Sequence, residues 1–208
     1  MQPGELYKKI MGRSSVYNIQ HIDNIPSIIE HGLLSYHLAQ SLPTSPVSIA
    51  MNEVQERRDT KFVPNGMGLH DYACTYINPR NVMMYKRKDQ HADLCILAID
   101  SSVLDLDGVV ISDRNAAANI ARFFDPVSGL TKLNPKIIFT RYWNDEDPII
   151  MINTKQVMCA EVLIPNRIDY ERIVGAYVSN DLTGEKLRDK GFTKQIAVRP
   201  YLFFQGEV

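Results

Sequence analysis

The sequence offers little that would indicate a metal site or a disulfide framework. It contains three cysteines and five histidines in 208 residues. Cys74, Cys95 and Cys159 are scattered through apolar segments, without metal-ligand or disulfide spacing. No histidine has a partner at the His-x-x-x-His spacing typical of metal sites. We therefore expect buried thiols in a reducing compartment, and no metal.

The sequence also lacks a long apolar run and a strong net charge. The sequence has no stretch of about 18 apolar residues that could cross a membrane, and its N-terminal residues lack the apolar core of a secretory leader. We expect a cytoplasmic protein with no membrane partner. The net charge of −1 gives no global signal for nucleic acid, and basic residues gather only at 57–61 and 85–88. Nucleic-acid binding would therefore depend on a local patch.

Hydrophobic periodicity and turn residues predict one α+β domain with short helices. Residues 1–14 are expected to form a loose arm or a short helix, ahead of a domain over 15–208. Residues 35–46 are predicted to be a loop and 125–154 to be irregular, apart from a possible strand at 136–142. The predicted strands are 15–19, 71–77, 93–99, 108–111, 156–164, 172–178 and 195–199. The predicted helices are 21–32, 49–58, 115–124 and 181–190.

The predicted strand 156–164 is apolar on both faces except at Glu161. Burying an unpaired carboxylate costs several kcal/mol, so this group must pair, become protonated or line a cleft. A frayed sheet edge or a core arginine would explain it without any function. Because the charge is awkward in an apolar strand, we expect its removal to leave the fold intact or more stable.

Short segments spread over residues 15–200 together resemble the DarT family of DNA ADP-ribosyltransferase toxins from bacterial toxin–antitoxin systems. Each segment alone is weak, but all of them occur in the order in which the family has them. The matching segments are 17–24 with Leu33 and Leu34, 55–58, 69–72, 78–80 with Met84 and Tyr85, 112–114 with 121–124, Tyr142 with Trp143, and Gln156 with Ala160 and Glu161.

The resemblance implies a single ADP-ribosyltransferase fold with a split sheet and with NAD, the co-substrate, in the cleft between its halves. The enzyme would transfer ADP-ribose to a base of single-stranded DNA and release nicotinamide. It would act as a monomer and be opposed by an antitoxin, a macrodomain ADP-ribosyl hydrolase. Glu161 matches the catalytic glutamate, which would stabilise an oxocarbenium ion. Arg58 matches the catalytic arginine, which would neutralise phosphate charge and orient the acceptor.

The resemblance also implies two sets of binding residues, and 113–154 would be the substrate loop. Tyr142 and Trp143 would be available to stack unpaired bases. The implied NAD contacts are Asn18, Ile19, Gln20, Ser27, Ser35 and Arg58. The implied nucleic-acid contacts are His70, Tyr72, Arg80, Arg114, Asn115, Tyr142 and Trp143.

Two positions depart from the family pattern. Asn18 replaces the family's opening histidine, and Asn115 replaces the histidine of its substrate loop. The second change favours guanine over the family's usual thymine, since asparagine cannot act as a general base. Two other functions stay open: an ADP-ribosyltransferase that acts on RNA or protein, and a nucleic-acid-binding module without catalysis.

Overall fold

A computed structural model describes residues 1–206, so residues 207 and 208 of the predicted domain lie outside the described range. The helices are α1 (Pro3–Met11), α2 (Ile25–His31), α3 (Tyr36–Gln40), α4 (Asn52–Asp59), α5 (Val82–Lys86), α6 (Pro126–Lys132), α7 (Pro135–Ile138), α8 (Pro148–Val157) and α9 (Asp181–Asp189). The strands are β1 (Ser15–His21), β2 (Leu33–Leu34), β3 (Tyr72–Tyr76), β4 (Leu94–Asp100), β5 (Val110–Ser112), β6 (Phe123–Phe124), β7 (Glu161–Pro165), β8 (Arg167–Ile168), β9 (Ile173–Val178) and β10 (Gln195–Val198). Short 3-10 turns connect several of them.

The main sheet runs β10-β9-β4-β1-β3-β7-β5-β6 and separates into two halves at its centre. β1 pairs with β4 along its whole length, from Ser15 to His21. Its pairing with β3 on the other side is restricted to Tyr17 and Tyr76. A sheet joined at one residue pair opens a gap beyond that pair. This architecture agrees with the predicted α+β class and split sheet.

Buried side chains from the strands and from α1, α2, α6 and α9 form the largest core cluster. The N-terminal residues, expected to form a loose arm or a short helix, form α1. Tyr7 is fully buried there, and its hydroxyl donates to the Ser15 carbonyl at 2.8 Å. Gly12 ends the helix with φ +64°, the left-handed conformation that favours glycine. These residues are therefore part of the packed domain.

The predicted strand 156–164 is corrected, because its first two residues are helical and the next three form a turn. Pro148 occupies the first turn of α8, and the Asp147 carboxylate accepts a hydrogen bond from the Ile149 amide, so the helix continues through Val157. A turn follows, and β7 begins at Glu161. The burial expected on both faces is found from Glu161 to Ile164.

Four other predicted elements differ from the structure. The segment 125–154, predicted to be irregular, contains α6, α7 and most of α8. Residues 115–124 form turns and β6 rather than a helix, because the Arg122 amide donates to the Asp113 carboxylate instead of to the Ala118 carbonyl. The possible strand at 136–142 is partly α7, where Pro135 sits in the first turn and Asn134 caps it. The predicted loop 35–46 contains α3, which ends before its prolines. The remaining predicted strands and helices are found with small shifts at their ends.

Among residues 1–206, the structure contains no helix that is both long and apolar enough to cross a membrane.

Candidate active site

A cleft of about 650 Å³ opens where β1 and β3 part. Asn18, Ile19 and Gln20 of β1 form one wall, and Cys74 and Tyr76 of β3 lie opposite. The side-chain amide of Asn18 donates to the Cys74 carbonyl at 2.8 Å and so bridges the two halves. Helices α4 and α5 and residues 115 and 117–120 also contribute to the lining.

Glu161, the first residue of β7, is completely buried beside this cleft. Both of its carboxylate oxygens lie 2.6 Å from Nη2 of Arg58. Oε1 also accepts a hydrogen bond from the Ala116 amide at 2.8 Å. The carboxylate is therefore paired with a cation and is held by two segments distant in sequence. Arg58 lines the cleft, whereas Glu161 lies behind it.

Arg58 is the buried residue of α4, and its guanidinium contacts one residue of β3 and one residue of β7. Nη1 donates to Sγ of Cys74 at 3.0 Å, while Nη2 donates to Glu161. Burial works against the charged form, but the Glu161 carboxylate outweighs it, so the pKa of Arg58 is raised. Arg58 thus remains a cation and is not a proton acceptor at neutral pH.

The Cys74 thiol and the Tyr76 phenol, beside the Arg58–Glu161 pair, stay protonated. Burial raises the pKa of Cys74 to about 11, and the Glu161 charge acts in the same direction. Burial and Glu161 also raise the pKa of Tyr76 well above its ordinary value. Cys74 is therefore not a thiolate nucleophile, and Glu161 is the buried anion that this cluster offers.

The predicted NAD-binding residues come together around the cleft, with one exception. Asn18, Ile19, Gln20, Ser27 and Arg58 line it. Ser35 is buried outside the lining, and its amide donates to the Asn166 carbonyl at 2.6 Å.

The predicted nucleic-acid residues divide into two groups. His70, Tyr72 and Asn115 line the cleft. Arg114 lies outside the lining and is engaged by Asp113 and Asn153, at 3.0 and 3.2 Å.

Arg80 and Trp143 also lie away from the cleft lining and are packed by their neighbours. Arg80 donates to the Tyr201 and Arg141 carbonyls, and its guanidinium lies 3.9 Å from the centre of the Phe204 ring. Trp143 meets the edges of Tyr85 and Phe204, with centroids 5.1 and 5.8 Å apart. The neighbouring Tyr142 is 64% exposed.

A comparison with known families identifies the family of the chain. The family model described as "ssDNA thymidine ADP-ribosyltransferase, DarT" matches residues 17–204. The chain belongs to the DarT family.

Two relatives illustrate the range of DarT proteins that the chain is similar to. A DNA ADP-ribosyl transferase of Thermus sp. (strain 2.9) is 32% identical over 183 residues, which cover 83% of this chain and 84% of that protein. A DNA ADP-ribosyl transferase–DNA ADP-ribosyl glycohydrolase fusion protein of Thermosipho africanus (strain H17ap60334) is 29% identical over 191 residues. These residues cover 89% of this chain and 47% of the fusion protein, so the chain spans about half of the fusion.

Solved DarT structures share the fold. Thermus sp. 2.9 DarT in complex with ADP-ribosylated ssDNA matches with a TM-score of 0.79 and 26% identity, over 91% of this chain and 95% of that one. Thermosipho africanus DarTG in complex with ADP-ribose matches with a TM-score of 0.77 and 26% identity, over 93% and 52%. The predicted family, fold class and class of DNA ADP-ribosyltransferase are confirmed.

Some residues of the DarT cleft were not predicted as site residues. The Ala116 amide contacts Glu161 through its backbone, and no side-chain pattern could have indicated it. Gln156 matched the family pattern and lines the cleft, and its Oε1 is buried without a hydrogen-bond partner among residues 1–206. Oδ1 of Asn18 is also buried without a hydrogen-bond partner among residues 1–206. Two buried acceptors thus border one cleft.

Proposed function

We propose that the chain transfers ADP-ribose from NAD to a base of single-stranded DNA and releases nicotinamide, with Glu161 and Arg58 as catalytic residues. The observation that carries the proposal is the buried Glu161–Arg58 pair at the wall of the cleft between the sheet halves. A fixed carboxylate next to a cation suits a reaction that forms a positive sugar from a substrate with two phosphates.

The lining of the cleft supports NAD as the donor. Its volume of about 650 Å³ lies in the range of cofactor-sized sites. Oδ1 of Asn18 and Oε1 of Gln156 are unpaired acceptors, and a carboxamide such as that of nicotinamide carries two N–H donors. Arg58, Lys86 and Arg87 line the same cleft and supply positive charge for the pyrophosphate.

The chemistry follows from the state of the two catalytic residues. The bond between ribose C1′ and the nicotinamide nitrogen breaks, its electron pair leaves with nicotinamide, and a base nitrogen forms the new bond to C1′. Glu161 would stabilise the oxocarbenium ion and accept the proton that the base loses. Because Arg58 covers Glu161, its guanidinium must turn toward the phosphates before the carboxylate can meet the ribose.

We propose that guanine, rather than thymine, is the base that accepts ADP-ribose. Asn115 lines the cleft, and its Oδ1 accepts a hydrogen bond from the Ala117 amide at 2.9 Å, so the NH₂ group is what it can offer a base. An amide cannot deprotonate a base. The exocyclic amine of guanine can attack before it loses a proton, whereas N3 of thymine must lose its proton first. The family description names thymidine, which makes thymine the alternative to test.

The proposal extends to partners. The Thermosipho africanus relative joins a transferase to a DNA ADP-ribosyl glycohydrolase in one chain. We infer that this chain is a toxin, acts as a monomer, and is opposed by a separate antitoxin that removes ADP-ribose from DNA.

The test is to incubate the chain with NAD labelled in the ADP-ribose part and with single-stranded DNA, RNA or protein. DNA oligonucleotides that each lack one base identify the acceptor, and mass spectrometry of digested products locates the modification. We expect label on DNA that disappears when guanine is omitted, and no label with Glu161→Gln. Label that requires thymine would refute the choice of base. Label on RNA or protein alone would favour the rival transferase, and binding without label would favour a non-catalytic module.

A further inference from the structure

Three side chains of the types that bind metals lie close together at the cleft wall, and they come from three segments. His37 comes from α3, Asp59 ends α4, and His70 lies in the 3-10 turn Leu69–Asp71. One nitrogen from each histidine and one oxygen of Asp59 lie within 4.8 Å of one another. The three residues are far apart in sequence, so no local spacing predicted the group, and we had expected no metal.

His70 is the member that points to a ligand. It is 4% exposed, and Oε1 of Gln55 lies 3.1 Å from its Nε2. Nδ1 is buried and makes no hydrogen bond within residues 1–206, although Oδ1 of Asp59 lies 3.4 Å away. Gln55 holds the ring proton on Nε2, which leaves the lone pair on Nδ1 directed at the carboxylate. A buried nitrogen without a hydrogen-bond partner lowers the folding stability by about 1–3 kcal/mol unless a ligand binds it.

An ion pair with Asp59 does not explain this arrangement. Nδ1 of His70 and Oδ1 of Asp59 lie 3.4 Å apart, and no hydrogen bond joins them. A neutral Nδ1 without a proton and a carboxylate oxygen are both acceptors. Two acceptors that face each other are stabilised by a cation between them.

His37 is oriented in the manner of a metal ligand. Oδ1 of Asp71 lies 2.7 Å from its Nδ1, so the carboxylate holds the proton there and Nε2 keeps the lone pair. Metal-binding histidines commonly make such a hydrogen bond to a carboxylate through the other ring nitrogen. Both histidines of the group therefore have one nitrogen occupied by an oxygen acceptor.

We propose that His37, Asp59 and His70 bind one divalent transition-metal ion of the zinc type. Two imidazoles and one carboxylate are ligands that suit zinc better than magnesium or calcium. Two ligands at about 2.0–2.1 Å in tetrahedral geometry lie roughly 3.3–3.4 Å apart. The separation of 3.4 Å between Nδ1 of His70 and Oδ1 of Asp59 already has this value. Three protein ligands leave a fourth position for water.

The ion would fix the position of Arg58 indirectly, through helix α4. Asp59 follows Arg58 directly, and Arg58 is the buried residue that anchors α4. Helix α3 buries none of its residues. An ion that joins α3, α4 and the turn before β3 would fix the helix that carries Arg58.

The test measures metal binding and does not depend on enzymatic activity. The purified chain is stripped with a chelator, dialysed into metal-free buffer and titrated with zinc chloride by calorimetry, and bound metal is counted by elemental analysis. We expect one zinc ion per chain and a higher melting temperature with zinc. His37→Ala and Asp59→Asn should each weaken binding at least about tenfold, because each removes one of three ligands.

His31→Ala is the matched control, because His31 is a partly exposed histidine outside the group. It should bind zinc as the wild type does. Circular dichroism confirms that the variants fold, which the exposure of His37 and Asp59 favours. If the wild type binds no zinc, or if His37→Ala and Asp59→Asn both bind it as tightly as the wild type, the proposal is wrong. The second result would assign the zinc to other residues, such as the cysteines.

Discussion

Nη2 of Arg58 lies 2.6 Å from both carboxylate oxygens of Glu161, a residue 103 positions further along the chain. The two side chains are 8% and 0% exposed. Each charge is therefore removed from water and depends on the other for its stability. The pair is at once a structural contact and the centre of the candidate active site.

Glu161→Ala should abolish transfer and also destabilise the fold. Removing the carboxylate leaves the Arg58 guanidinium buried without its partner, which typically costs about 3–5 kcal/mol. This reverses the expectation from sequence alone that the variant would be intact or steadier. Urea unfolding measures the loss. The double variant Arg58→Ala/Glu161→Ala should lose less than the sum of the two single variants. An unchanged urea midpoint for Glu161→Ala would show that the pair contributes nothing to stability.

Arg57 and Arg58 provide a test within one helix turn. Successive helical residues point about 100° apart, so the two cannot serve one site equally. Arg58 is buried against Glu161, whereas Arg57 is exposed and donates to the Glu53 carbonyl at 3.1 Å. Arg58→Ala should lower the transfer rate by about 100-fold or more, the scale for loss of one charge-stabilising donor. Arg57→Ala should lower it less than about tenfold, measured with labelled NAD. The opposite ranking would place the catalytic role on Arg57.

The site could be predicted from sequence where one residue carried a strong local signal. Glu161 was found because a single carboxylate interrupts an apolar strand, and that strand is buried on both faces from Glu161 onward. A core arginine was considered there as an alternative to a catalytic role. The core arginine is Arg58, the same residue that the family resemblance indicated as catalytic, so the two interpretations describe one contact.

What could not be predicted depends on contacts between distant segments. Residues 115–124 were predicted to be a helix, but the Arg122 amide donates to the Asp113 carboxylate instead of to the Ala118 carbonyl, and the Ala116 amide donates to Glu161. Tertiary hydrogen bonding overrides helix propensity there. His37, Asp59 and His70 show the same limit, because only the fold brings them together.

Asp113 should make the stability of the substrate loop depend on pH in the acid range. Its carboxylate accepts hydrogen bonds from Arg114 and from Arg122, at 3.0 and 2.9 Å. Burial opposes its ionisation, but these hydrogen bonds outweigh burial and lower the pKa of Asp113. Its contribution is therefore complete above the ordinary aspartate pKa of about 3.9 and is lost as the pH falls through the lower folded value.

Asp113→Asn measures this contribution. The wild type should exceed the variant in unfolding free energy at neutral pH, and the difference should shrink only below a pH of about 4. Urea unfolding across a pH series gives both curves. Asp107→Asn is the control, because Asp107 is exposed and its carboxylate makes no hydrogen bond or ion pair among residues 1–206. A difference that is constant down to the acid limit would show that the Asp113 charge does not matter.

Single-stranded DNA should be labelled at least about tenfold better than the same strand in a duplex. A base in a duplex must be unpaired and unstacked before it can enter the cleft, which costs a few kcal/mol. Cations on the cleft wall, including Lys86 and Arg87, should make labelling weaken as salt rises. Initial rates with labelled NAD over a salt series test both points. Tyr142→Ala should lower the rate on single strands, since this ring is exposed for stacking. Equal rates on the two forms of DNA would contradict the prediction.

Asn115→His tests the choice of base at the residue on which it depends. In the tautomer with its proton on Nδ1, histidine gives up the hydrogen bond that the Ala117 amide now donates to Oδ1 of Asn115 and keeps a lone pair on Nε2. Nε2 then brings to the cleft a group that can exchange a proton near neutral pH. Because thymine must lose its N3 proton before it attacks, the variant should gain activity on oligonucleotides without guanine while it keeps activity on guanine. Asn119→His, at another position in the cleft lining, is the control and should leave the preference unchanged. If Asn115→His labels the same bases in the same ratio as the wild type, Asn115 does not select the base.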